Sequence, residues 1–62
     1  MAITKAEILE GCDTAIAGYT TLLNEVLSEG DISVDADRFK CMTNIMQINR
    51  VAQVKAWAEA NL

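Results

Sequence analysis

Apolar residues in the first half of the chain recur at steps of three and four. When projected on a helical wheel they fill an arc of roughly 140°, and polar residues occupy the opposite side. The pattern predicts an amphipathic helix over about residues 4–29 that buries one face. The apolar set comprises Ile8, Leu9, Cys12, Ala15, Ile16, Tyr19, Leu22, Leu23, Val26 and Leu27.

The start of this helix and its two internal glycines determine its expected length. Thr4 and Glu7 have the spacing of a capping box, which predicts that the helix begins there. Gly11 and Gly18 lie on one edge of the apolar arc, as in a strip that another helix approaches closely. The alternative is a break at Gly11 with a new helix starting at Asp13. The apolar phase continues unbroken past Gly11, so we expect one helix.

A short connection follows the first helix. Gly30 is expected to end that helix with a positive φ angle, and Ser33 or Asp31 to cap the second helix. The turn covers about residues 30–33, and so short a connection favours antiparallel neighbours. The second helix is predicted over about residues 34–61, which is nearly the length of the first. The expected architecture is an all-α, two-helix antiparallel hairpin.

The second helix is apolar on two faces. We expect its aliphatic side to pack on the first helix of the same chain. This pairing places Cys41, Ile45, Ile48 and Ala52 against Ile8, Cys12, Ala15, Tyr19 and Leu22. A helix that is apolar nearly all round is buried on more than one side, and one neighbouring helix covers only one of them. We therefore predict that the hairpin dimerises into a four-helix bundle.

The other face of the second helix combines methionine and aromatic side chains and is the candidate interaction surface. Flexible Met side chains suit surfaces that adapt to a partner, and Trp is enriched among energetically dominant interface residues. We expect Arg50 to pair with an acidic group of the partner. In the alternative interpretation, the same side chains form the core of the homodimer. The predicted interface comprises Phe39, Met42, Met46, Asn49, Arg50, Gln53 and Trp57.

Composition narrows the class of protein. We expect residues 1–62 to form a single small acidic domain. Its net charge is −4, and 52% of its residues are hydrophobic. A negative protein is repelled by nucleic-acid phosphates and by anionic membranes. No signal peptide is recognisable, and no apolar run approaches the roughly 18 residues of a membrane span. We expect a reduced, cytoplasmic protein with no membrane attachment.

Catalytic and metal-binding chemistry has few candidates. There is no His, no Ser, Cys or Thr has an obvious base beside it, and no Gly-rich phosphate loop is present. Alternating oxygen ligands near the turn are typical of a calcium loop, but Ala36 and Met42 stand where an EF-hand requires Gly and Glu. We expect that the protein is not an enzyme and that it has no cofactor and no metal site. The alternating residues are Asp31, Ser33, Asp35 and Asp37.

The pattern as a whole favours a small non-enzymatic interaction protein. It would act as a regulator, inhibitor or adaptor, with a second copy of itself and another protein as partners. One alternative is a dimeric nucleic-acid-binding hairpin that uses a face around Lys40 and Arg50. Another is a structural assembly subunit.

We predict that folding and association are coupled, so that no stable monomer exists at micromolar concentration. The reason is the second apolar face of the second helix, which a lone hairpin leaves in water. Sedimentation and circular dichroism across a wide dilution series measure this. A helical monomer that still melts cooperatively at the lowest concentration contradicts the prediction.

Overall fold

Two α-helices make up the fold in a computed structural model that describes residues 2–62. Helix α1 covers Lys5–Glu29 and helix α2 covers Asp35–Asn61. The helices pack against each other as a hairpin with extents of 45 × 16 × 16 Å. The Lys5 ammonium donates a hydrogen bond to the Glu59 carbonyl at 3.1 Å, so the start of α1 lies beside the end of α2. The predicted two-helix hairpin is therefore confirmed.

Helix α1 begins at the predicted capping box. The Glu7 N–H donates to the Thr4 hydroxyl at 3.2 Å, and the Thr4 N–H donates to the Glu7 carboxylate at 3.3 Å. These bonds satisfy donors that the first turn of a helix leaves unpaired. The helix then continues without a break through Gly11 and Gly18, which confirms the prediction of one helix.

The end of α1 differs from the prediction. Gly30 has φ −87°, so the predicted positive φ is wrong. Glycine is required there for space instead. A Cβ on Gly30 would lie 2.5 Å from the Val26 carbonyl oxygen and 3.3 Å from the Asp37 carboxyl carbon. The Gly30 N–H also donates to that Val26 oxygen at 2.8 Å, which holds the chain close to the last turn of α1.

The start of α2 has no side-chain cap. Its N-cap residue is Val34, so the predicted capping by Ser33 or Asp31 is wrong. The Asp31 carboxylate instead accepts from the Ser33 N–H at 2.9 Å and from the Ser33 hydroxyl at 2.7 Å. The Asp37 carboxylate accepts from the Asp31 N–H at 3.0 Å. These bonds fold the acidic segment back on itself and hold Asp37 against the end of α1.

The contact between the helices follows a heptad spacing. Seven residues of α2 at alternating steps of four and three face α1, and all are half-buried or buried. This spacing is typical of two helices that coil gently around each other. We call these residues the inner seam: Asp37, Cys41, Asn44, Ile48, Val51, Lys55 and Ala58. The matching positions on α1 are Leu9, Cys12, Ile16, Tyr19, Leu23 and Val26.

The inner seam corrects part of the predicted packing. Cys41 and Ile48 do lie in it, but Ile45 is 46% exposed and Ala52 is also exposed. On α1, Leu22 is 51% exposed and lies outside the contact. The physical reason is the rotation of α2 about its own axis. Asp37 is held against the end of α1. The residues that follow Asp37 at alternating steps of four and three therefore face α1, and Ile45 and Ala52 lie to one side of the contact.

The hairpin leaves much apolar surface uncovered. Among residues 2–62 only Cys12 and Ala58 are buried, at 7% and 1% exposure. The accessible surface is 4689 Å², whereas a folded monomer of 6.8 kDa is expected to expose about 3,950 Å². The excess of about 700 Å² is close to the roughly 800 Å² that each partner buries in a standard protein interface.

Alanine substitution of the glycines should give opposite results. Gly30→Ala should destabilise the hairpin by about 1–3 kcal/mol, because the new methyl group overlaps Val26. Gly18→Ala should stabilise it by about 0.5–1 kcal/mol, since a Cβ there meets nothing within 4 Å and alanine favours the helix. Thermal and urea denaturation measure both changes. If Gly18→Ala destabilises the protein, another helix approaches that strip closely.

Candidate protein-interaction surface

The predicted interface residues lie together on the face of α2 that points away from α1. Phe39 is 70% exposed, and Met42, Met46 and Trp57 are between 57% and 59% exposed. Their polar neighbours on this face are exposed as well. We call the seven residues the outer ridge: Phe39, Met42, Met46, Asn49, Arg50, Gln53 and Trp57.

The outer ridge lies opposite the inner seam because of helix geometry. Phe39, Met46 and Gln53 each follow an inner-seam residue by two positions. Two positions correspond to a rotation of about 200° around the helix axis. Helix α2 therefore carries two series of heptad-spaced residues, one facing α1 and one facing outward. Spacing of this kind is typical of a surface that packs on a further helix.

Two polar residues lie in the middle of the outer ridge. Asn49 and Gln53 separate the cluster formed by Phe39, Met42 and Met46 from Trp57 near the helix end. A polar side chain within an apolar helix contact fixes the register of the two helices, since it must find a hydrogen-bond partner.

The charge on this side comes from Arg50. Across residues 2–62, the ion pairs are Arg38 with Asp35 and Lys55 with Asp13 and Glu59, so Arg50 forms none. An exposed guanidinium offers a planar set of donors that fits a carboxylate well. Arg50 is thus available to pair with an acidic group of a binding partner.

The alternative basic face around Lys40 is interrupted by acidic residues. Lys40 lines a groove of about 500 Å³ between the helices, on one side of the hairpin. Glu25, Glu29 and Asp37 line the same groove. Carboxylates beside a lysine repel phosphate oxygens, so this groove is a poor nucleic-acid site. Lys40 and Arg50 are ten residues apart on α2, which corresponds to about 15 Å along the helix axis.

Within residues 2–62, Asp31 in the acidic turn and Lys55 at the far end of the hairpin have shifted pKa values. Hydrogen bonds from the Ser33 hydroxyl and backbone lower the pKa of Asp31, so their stabilising effect is lost as the pH falls through that lowered value. A hydrogen bond to Asp13, 2.8 Å away, and its charge raise the pKa of Lys55. That contribution is lost as the pH rises through the raised value.

The acidic residues and cysteines were also considered as a metal site and as a disulfide pair. No group of three His, Cys, Asp or Glu side chains from residue 2 onward is placed to hold a metal ion. Cys12 and Cys41 are both free thiols. Cys12 lies near Lys55, 14 residues beyond Cys41 on α2, which corresponds to about 21 Å along the helix axis. A disulfide requires Cα atoms within about 7 Å.

A second apolar surface was not predicted from the sequence. A groove of about 270 Å³ on the other side of the hairpin brings Leu27, Ile32 and Cys41 together, and Asp31 and Asp37 line its end at the turn. Leu27 and Ile32 are 63% and 68% exposed. The sequence does contain a sign of this surface. Ile45 follows Cys41 by four residues and Ala52 follows Ile45 by seven, and this spacing places Cys41, Ile45 and Ala52 on one side of α2.

Comparisons with known proteins give no relative for this chain. No protein-family model, no curated protein and no solved structure matches it. From residue 2 to the end, neither helix combines the length and the apolar character needed to cross a membrane. Its function is therefore inferred from its own residues and their arrangement.

The cysteines should be reduced and structural. Intact mass after alkylation of the denatured protein should show two modified thiols. In the native protein Cys41 should react before Cys12, because Cys12 is only 7% exposed. Cys→Ala at either position should change stability without changing how the outer ridge binds a protein partner. An intramolecular disulfide in freshly purified protein contradicts the arrangement of the hairpin.

Proposed function

We propose that this protein is a small non-enzymatic interaction module that self-associates as a helical bundle and binds another protein through the outer ridge. The proposal rests on one observation above all. Four large apolar side chains, each between 57% and 70% exposed, share the face of α2 that α1 does not cover. A regulator, inhibitor or adaptor acts in this way, by presenting helix surface to another macromolecule.

The energy available at the outer ridge supports this proposal. Burying one large apolar side chain contributes about 1.5–3 kcal/mol, and a small domain loses this contribution for each one that stays in water. Phe39, Met46 and Trp57 provide such side chains over five helical turns. Methionine adapts its shape to the opposing surface, and tryptophan often dominates interface energy.

The proposed partner presents an amphipathic helix. The heptad spacing of the outer ridge suits a helix that lays its apolar side along α2. Arg50 adds the requirement for an acidic residue on that helix, at the level of the middle of the ridge. Asn49 and Gln53 would then hydrogen-bond across the contact and fix its register.

A protein partner is favoured over a nucleic acid because of the charges. The chain carries a net charge of −4, and acidic side chains line the groove that holds Lys40. Phosphate-dominated binding needs clustered basic residues. Arg50 alone, beside methionine and aromatic side chains, suits a carboxylate at the edge of an apolar contact better.

Affinity capture from a lysate of the source organism tests the proposal. Wild type should retain a specific protein, and Met46→Asp should weaken its retention by at least about tenfold, because a carboxylate would be buried against apolar groups. Trp57→Ala should have a smaller effect, since Trp57 lies near the helix end. The matched control is Val54→Asp, which changes an apolar residue of α2 that is 49% exposed and lies off the ridge.

The control variant, the fluorescence of Trp57 and the nucleic-acid content of the eluate decide between the possible outcomes. Val54→Asp should retain the captured protein as wild type does. Trp57 emission should shift to the blue when the purified partner is added. The proposal is wrong if Met46→Asp and Val54→Asp behave alike, or if the eluate contains nucleic acid whose binding falls steeply with salt.

A further inference from the structure

The side of the hairpin that holds Leu27 and Cys41 is largely apolar, with Thr20 as a polar residue between Ile16 and Leu23 on α1. On α1, Leu27, Leu23 and Ile16 follow one another at steps of four and seven residues. On α2, Cys41, Ile45 and Ala52 have the same steps. Such steps keep residues on one side of a helix. We call these six residues the flat face, because both helices contribute to it. Ile16, Leu23 and Cys41 also belong to the contact between the helices and are half-buried, whereas Leu27, Ile45 and Ala52 are exposed. Leu27 is 63% exposed and Ile45 is 46% exposed.

The six residues of the flat face are uncharged, and the charges lie at its two ends. At the turn, Asp31 and Asp37 line the groove that holds Leu27 and Cys41. The Asp13–Lys55 ion pair bounds it at one end, and the Arg38–Asp35 pair bounds it near the turn. Arg38 and Lys55 are 17 residues apart, which corresponds to about 25 Å along the axis. The opposite side of the hairpin differs, since Glu25, Glu29 and Lys40 line its groove.

We propose that a second copy of this chain packs on the flat face to form a four-helix bundle, which leaves the outer ridge free for the protein partner of the proposed function. The inference rests on that function only for what binds the ridge. The accessible surface in excess of a typical monomer is about 700 Å² per chain, close to the roughly 800 Å² that a stable interface takes from each partner.

Charge selects the flat face over the outer ridge for this contact. Two copies each carry a net charge of −4, so they approach most easily through an uncharged surface. Pairing two outer ridges brings like charges together in either orientation. Parallel helices place one Arg50 opposite the other, and antiparallel helices centred on the middle of α2 place them about 6 Å apart along the axis.

Charge also indicates how the two hairpins are arranged. Helix α1 has one basic residue and five acidic ones, whereas α2 has four basic and three acidic. A two-fold axis parallel to the helices sets α1 of one copy against α2 of the other in antiparallel orientation. Every helix then neighbours a helix of the other type, as in four-helix bundles with antiparallel neighbours.

Adjacent residues provide a matched test. Ile45 lies on the flat face and Met46 on the outer ridge, and they are 46% and 57% exposed. Ile45→Asp should raise the dimer dissociation constant by at least about a hundredfold, whereas Met46→Asp should change it by less than about threefold. Sedimentation equilibrium measures both, and circular dichroism of the same samples reports helix content. Leu27→Asp repeats the test from α1 in case Ile45→Asp does not fold.

Quenching of Trp57 in the wild-type homodimer provides a test that needs no variant. Trp57 is the sole tryptophan, and on the outer ridge it should stay open to acrylamide in the dimer and become shielded only when the protein partner binds.

Three outcomes overturn the inference. They are a monomer at all concentrations, a dimer that Met46→Asp dissociates and Ile45→Asp does not, and a Trp57 shielded in the homodimer. None of them decides whether Met46→Asp loses the captured protein, so failure of this inference and failure of the proposed function are separate results.

Discussion

The close contact between the turn and the last turn of α1 determines what the rest of the molecule exposes. Gly30 lies against Val26 with no room for a Cβ, and the Asp37 carboxylate accepts from the Asp31 N–H at 3.0 Å. These contacts fix the rotation of α2 about its axis at its first turn. A helix is stiff, so a rotation fixed at one end is carried along the whole inner seam.

The inner seam that results from this rotation contains polar residues as well as apolar ones. Asp37, Asn44 and Lys55 face α1, and Lys55 is held there by its ion pair with Asp13. Larger apolar side chains such as Met46 and Ile45 lie outside the contact. Polar residues therefore take up part of the contact between the helices, while large apolar residues are exposed to solvent. This arrangement suits a chain that completes its core by association.

The two apolar surfaces of the hairpin differ in ways that suit different partners. The flat face is built by both helices and has its charges only at its two ends, so it suits a symmetric contact between identical acidic chains. The outer ridge belongs to α2 alone and carries Arg50, Asn49 and Gln53 among its apolar residues. Polar groups of this kind discriminate between partners, because a wrong partner leaves them buried without a hydrogen bond.

Features that depend on near neighbours in the chain could be predicted from the amino-acid sequence. The capping box of Thr4 and Glu7, the unbroken α1, the hairpin and the shared face of Phe39, Met46 and Trp57 all follow from local bonding and helical periodicity. The rotation of α2, which exposes Ile45 and creates the flat face, depends instead on how the two helices pack. That rotation depends on the space between Gly30 and Val26, which residue spacing does not encode.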